Sequence, residues 1–138
     1  MPSASSIPIP IPAEYADLLV KPAIAHVATL MPDGSPQVTP VWIMREGDLL
    51  VINSARGRLK DKNLRRDGRI AIEISDPANS GRYVTIRGRV IEITEADGDA
   101  IIDALSMKYT GNPSYKWRSP SEIRVTYRIQ PERVSGSD

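Results

Sequence analysis

The chain has 138 residues, enough for one domain with a hydrophobic core of its own. Eighteen basic against seventeen acidic residues leave a net charge of only +1, so any affinity for anions has to be local rather than global. There is no cysteine and one histidine, which excludes disulfides, thiolate chemistry and a multi-histidine metal centre.

In chain order, residues 1–11 alternate Ser, Ile and Pro and read as an extended arm, followed by a domain over 12–134 and a short tail over 135–138. The start lacks the cationic end and apolar run of a secretory signal, and no stretch reaches the length of a bilayer span. A cysteine-free chain of this kind fits a reducing, cytoplasmic setting. Pro12 suits a first helical position, with Tyr15, Leu18 and Leu19 on one face. Ala23 to Leu30 reads as a buried strand ending in the turn Met31-Pro32-Asp33-Gly34. Gln37 to Met44 is predicted as its partner, held to a sheet edge or bulge by Pro36 and Pro40. After the turn Glu46-Gly47-Asp48 comes a strand from Leu49 to Asn53.

The stretch Arg56 to Asp67 is polar, basic and partly helical. Arg69 to Ser75 and Tyr83 to Ile93 return to strand, with Gly88 a natural bend. Thr94 and Asp97 have the spacing of a capping box, opening a helix striped by Ile101, Ile102, Leu105 and Tyr109. A last strand alternates Ile123, Val125, Tyr127 and Ile129 with Arg124, Thr126 and Arg128. Six short strands with close turns and few helices predict a mainly β protein, an antiparallel barrel with helical decoration.

Seven basic residues and two acids fall between Arg56 and Arg69, so much of the positive charge is concentrated in a short run. Such a run is a solvated helix face, a phosphate site or a nucleic-acid contact. Gly57 would let backbone approach a ligand, and Arg58 and Lys60 stand where a helix would begin, a natural place for a phosphate. The run lacks interleaved aromatics for base stacking, which disfavours nucleic acid. His26, inside an apolar strand, reads as a hydrogen-bonded structural residue. Trp42 fits core or pocket wall equally. Tyr115 and Trp117, in a Gly/Pro loop, are candidates for an interface or a ligand. Arg87 and Arg89 share one strand face, open to solvent or to an anion.

The segments Gly34-Ser35-Pro36-Gln37-Val38-Thr39-Pro40-Val41-Trp42 and Arg58-Leu59-Lys60-Asp61-Lys62-Asn63-Leu64-Arg65-Arg66-Asp67 resemble the pyridoxamine-phosphate-oxidase-like, FMN-binding split β-barrels. More narrowly they resemble the F420-dependent reductases among them. Arg82 to Val90, and Tyr115-Lys116-Trp117-Arg118 with Glu122 and Arg124, match the same branch. The resemblance runs from about Pro12 to Val134. It departs at Gly68, where relatives usually carry proline.

The resemblance implies a six-stranded Greek-key split barrel, homodimeric, with a cofactor in a groove between two barrels. It implies that Arg58, Lys60 and Asn63, with Ser54 beside them, hold the cofactor phosphate. Thr39, Pro40 and Val41 would meet the ring system through backbone, and Trp42 and Trp117 would line the groove. The implied cofactor is the deazaflavin coenzyme F420, with FMN as the alternative because both carry a phosphate at that position. The implied activity is hydride transfer to a conjugated small molecule, against a non-catalytic cofactor-binding protein of the same fold.

Overall fold

The computed structural model of the chain describes residues 9–137, so most of the expected arm, residues 1–8, and Asp138 lie outside the described residues. A 3₁₀ turn (Ala13–Tyr15) leads into α1 (Ala16–Val20), then β1 (Ala25–Leu30), β2 (Pro36–Val41), β3 (Met44–Glu46) and β4 (Leu49–Ala55). The second half runs α2 (Leu59–Arg66), β5 (Arg69–Asp76), β6 (Asn79–Thr94), α3 (Gly98–Thr110) and β7 (Arg124–Gly136). All strands join one antiparallel sheet in the order β2-β1-β5-β6-β7-β4-β3.

That order forces the sheet to close. Laid flat, seven strands at about 4.8 Å spacing would put β2 and β3 roughly 29 Å apart. Yet only Trp42 and Ile43 connect them, and three Cα steps reach at most about 11 Å. The sheet therefore curls until its two edges meet, with a split at the Trp42–Ile43 crossover. It is a split barrel.

The same crossover explains why seven strands stand where six were expected. The predicted strand Gln37 to Met44 breaks in two, its first part pairing with β1 and its last residue, Met44, opening a separate strand that pairs with β4. At the break the Ile43 side chain is fully buried, and its N–H donates to the Tyr109 hydroxyl (3.1 Å) instead of to a strand. Pro36 and Pro40 sit on β2, which pairs only with β1, the edge position their missing N–H groups require.

Three local expectations are corrected. Pro12 caps the 3₁₀ turn rather than opening a helix as its first residue, although Tyr15, Leu18 and Leu19 are buried as expected. Asp97, not Thr94, precedes α3, and its carboxylate accepts from Arg128 (2.6 Å) instead of capping. The Thr94 hydroxyl accepts only from the Ala96 N–H, so there is no capping box. In β7 the simple alternation fails: Ile123 lies before the strand and is 47% exposed, whereas Arg124 is only 6% exposed. The outer face of this strand is covered by α3 and by the loop that follows it, so both faces are buried at its start.

The barrel interior is filled by aliphatic side chains, among them Val27, Leu50, Ile52, Ile74 and Ile86, with Tyr127 the largest fully buried residue. A second apolar cluster lies outside the barrel, where Ile101, Ile102 and Leu105 of α3 cover Val51 and reach Trp42 and Tyr115. Among the described residues no helix is long and apolar enough to cross a membrane.

The bend expected at Gly88 is present. Register between β6 and β7 shifts there, and a Cβ on Gly88 would stand 2.4 Å from the Gln130 carbonyl oxygen. Gly88→Val is therefore expected to cost about 1–3 kcal/mol through overpacking. Chemical denaturation measures this directly, and unchanged stability would contradict the close approach.

Candidate functional site

The split is lined by a groove of about 320 Å³. One wall is aromatic and grows out of the crossover. Trp42 stacks on Tyr109 (centroids 5.4 Å, 11° between planes), meets Tyr115 edge-on at 6.1 Å and touches Trp117 at 6.3 Å. Tyr109 is fixed in turn: its hydroxyl accepts from the Ile43 N–H and donates to the Ala23 carbonyl (2.7 Å). Burial pushes its phenol above the ordinary range, so it stays a donor. Trp42 is thus both core and pocket wall. Trp117, 56% exposed, forms the outer lip with the Lys116 ammonium 4.6 Å from its ring.

The other end is cationic, and one buried carboxylate sets it up. β4 leaves the sheet at Ala55, and Gly57 turns the chain with φ +88°, a conformation natural to glycine. The Gly57 N–H donates to Asp61 Oδ2 (2.9 Å). Asp61 is 2% exposed, and its Oδ1 also accepts from the Tyr127 hydroxyl (2.6 Å) and Arg65 Nε (2.9 Å). Burial alone would raise its pKa; the Gly57, Tyr127 and Arg65 bonds prevail and hold it below the ordinary carboxyl value. The Tyr127 phenol is pushed well upward, by burial first and by this bond second. With the first turn of α2 anchored this way, Arg58 and Lys60 line the groove.

Lys60 is the exceptional cation. Among the described residues its ammonium has no hydrogen bond or ion pair, and its pKa is lowered, first by burial and then by repulsion from Arg58 and Arg124. In the same groove the Ser54 hydroxyl is buried and, among the described residues, without a partner. Arg124 donates from Nε to Asn53 Oδ1 (2.9 Å) and from Nη1 to Glu122 Oε1 (3.0 Å), with its guanidinium 5.2 Å from the Tyr115 ring. Arg58 donates to the other Glu122 oxygen. An unpaired cation, two arginines and an orphaned hydroxyl at one end of an aromatic groove suit a planar ligand carrying a phosphate.

Of the sequence candidates, Pro40, Val41, Trp42, Ser54, Arg58, Lys60 and Trp117 all line this groove. Two do not. Thr39 lies one residue away on β2 with its own hydroxyl buried and unpartnered. Asn63 is fully buried and ties α2 to β1, donating to the Thr29 hydroxyl (3.0 Å) and accepting from Arg66 (2.9 Å). His26 is exposed on β1, with Nδ1 3.2 Å from Glu73 Oε1, and is not among the residues lining the groove. Arg87 and Arg89 line a separate depression with Arg69 and Arg133 on the outer face of the sheet. Arg124, Asp61 and Tyr109 were not among the site residues expected from sequence: Tyr109 read as a helix-stripe residue, and Arg124 and Asp61 only as members of the matching segments. The available signals were an arginine inside an apolar strand and an aspartate four residues before Arg65 in a basic run.

The pyridoxamine 5'-phosphate oxidase family model matches residues 11–138. The chain belongs to that family. Membership places it among flavin- and deazaflavin-related oxidoreductases. A solved F420 reductase is 30% identical, with a TM-score of 0.81 over 91% of this chain and 98% of that one. A hypothetical protein of Mycobacterium tuberculosis is 26% identical, with a TM-score of 0.73 over 95% of this chain and 86% of that one. A pyridoxamine 5'-phosphate oxidase-like protein of Listeria innocua, 18% identical, shares the fold at a TM-score of 0.67 over 89% of this chain and 94% of that one. No curated protein matches the chain. For a family that handles flavins, the residues present fit the cofactor: the orphaned Ser54 hydroxyl and unpaired Lys60 suit its phosphate, and the Trp42 wall suits its ring.

The Asp61 network makes a pH-dependent test. Its folded pKa lies below the ordinary 3.8, so its stabilisation is complete above that value and is lost as pH falls through the lower folded value. Asp61→Asn is expected to lower stability by about 1–3 kcal/mol at neutral pH. The difference from the parent should shrink on acidification below pH ~4. Denaturation curves between pH 7 and pH 2 measure both; a constant difference across that range would contradict the assignment.

Proposed function

We propose that this chain is an F420-dependent oxidoreductase that transfers hydride between the deazaflavin and a conjugated small molecule, as a cytoplasmic homodimer. The observation that carries the reading is the meeting, in one groove, of an unpaired cation and an orphaned hydroxyl with a wall of stacked aromatics. The likeness to a solved F420 reductase supports the same cofactor. So does the concentration of positive charge in a chain with a net charge of +1, since F420 carries an oligoglutamate tail as well as a phosphate.

In this reading Arg58 grips the phosphate with its planar fork, Lys60 adds a point charge and Ser54 donates its hydroxyl. The backbone of Thr39, Pro40 and Val41 supports the ring system, while Asn63 acts indirectly by holding α2 on β1. Trp42 and Trp117 keep water from the ring face. When bound, F420 supplies the hydride, and the protein supplies position and electrostatics. Water, or the phenol of Tyr115 on the groove wall, supplies the proton that completes reduction of the substrate. The groove is open at the Trp117 lip, and a second copy of the chain closes it.

Titration of the purified protein with F420 and with FMN, followed by fluorescence, ranks the two cofactors. F420 is expected to bind in the micromolar range or tighter and FMN more weakly; equal or tighter FMN binding would contradict the F420 assignment. Arg58→Ala and Lys60→Ala are each expected to weaken F420 binding by roughly tenfold to a hundredfold, with little change in melting temperature. Lys62→Ala, exposed on α2 and outside the groove, should bind as the parent does. Parental binding by both groove variants would remove the phosphate assignment. Light scattering at micromolar concentration is expected to give the dimer mass, and a clean monomer would contradict the shared groove.

A further inference from the structure

We propose that Glu122 is a specificity-determining residue of the cationic end, an internal anion that biases the site toward a singly charged phosphodiester and against a doubly charged phosphomonoester. The proposal rests on the reading that this groove receives a cofactor phosphate.

Glu122 lies in the turn before β7, where its N–H donates to the Ser119 carbonyl (3.0 Å). Its side chain is 23% exposed and is gripped from two sides: one carboxylate oxygen accepts from Arg58, the other from Arg124 Nη1 at 3.0 Å. Those two arginines come from different elements, the α2 entry and β7, and converge on this one carboxylate. Burial pushes its carboxyl upward, but the bonds from Arg124 and Arg58 outweigh that and hold it below the ordinary range, so it is ionised at neutral pH. Lys60, in the same groove, is left with no counter-ion among the described residues.

An arriving phosphate therefore meets a site whose two arginines are already partly satisfied. It must share Arg58 with Glu122 or displace the carboxylate from it. Either way it stands near a fixed negative charge, and the repulsion grows in proportion to the charge it brings. A phosphomonoester such as that of FMN carries about −1.5 to −2 at neutral pH. A phosphodiester such as that of F420 has no second ionisable proton and carries a single charge. Arg58, Lys60 and Arg124 together with Glu122 leave a surplus of two positive charges; neutralising Glu122 raises it to three. The extra attraction favours the dianion more than the monoanion. Glu122 thus lowers affinity for both but penalises the monoester more.

The test compares the parent with Glu122→Gln, which keeps the shape and loses the charge, and Glu122→Asp, which keeps the charge. Dissociation constants are measured for F420 and FMN, and for phenyl phosphate and methyl phenyl phosphate as a monoester–diester pair without a flavin ring. In Glu122→Gln the monoester of each pair is expected to bind roughly tenfold tighter and the diester to change much less. Glu122→Asp should keep the parental preference. Melting temperatures confirm that each variant is folded. Equal tightening of both esters, weaker monoester binding, or the same change in Glu122→Asp would overturn the proposal and leave Glu122 as a support for its arginines. If the parent binds neither F420 nor FMN, the proposed function fails by itself, and the simple esters still decide the role of Glu122.

Discussion

The candidate site depends on one buried carboxylate. Asp61 holds the Gly57 N–H, the Tyr127 hydroxyl and Arg65 at once, linking the turn after β4, α2 and the first part of β7. A charge buried to this degree is tolerated only when its lone pairs are matched by donors, and here three different groups supply them. The consequence is positional. The turn carrying Arg58 and the helix carrying Lys60 are fixed to the barrel wall, so two cations that repel each other are kept in one groove. A phosphate placed there would relieve that repulsion.

The second constraint is closure of the sheet. The barrel edges meet through Trp42 and Ile43, where ladder hydrogen bonds cannot form, and side chains satisfy the backbone there instead. Tyr109 accepts from the Ile43 N–H, and Lys108 donates to the Leu19 and Ile43 carbonyls. Burial of Lys108 lowers its pKa to about 8. Both residues lie at the end of α3, so this helix stitches the split on one side. Its stripe residues Ile102 and Leu105 line the groove on the other. Barrel closure and the ligand wall are therefore products of the same few residues.

What the sequence made legible was local. Proline placement marked β2 as an edge, Gly88 marked the bend in β6, and the basic run after β4 marked the cationic end of the groove. Each is a property of a short stretch of chain. What was not legible depends on contacts between distant segments. Arg124 read as one of three polar outward residues because alternation alone cannot show that α3 covers that face. Asp61 read as one of two acids in a basic run because nothing local announces that Tyr127, far along the chain, donates to it. Asn63 lies inside the basic motif, yet its side chain ties the helix to β1 and does not line the groove. The split of one predicted strand into β2 and β3 follows from closure of the whole sheet, which no window of sequence contains.

The central claim is that the cationic end of this groove holds a cofactor phosphate while the Trp42 wall holds its ring. A crystal structure of the chain with F420 tests it most directly. Phosphate oxygens are expected within hydrogen-bond distance of Arg58, Lys60 and Ser54, with the deazaflavin ring against Pro40 to Trp42. A phosphate seated instead in the arginine-lined depression of Arg69, Arg87, Arg89 and Arg133, with the groove vacant, would contradict it.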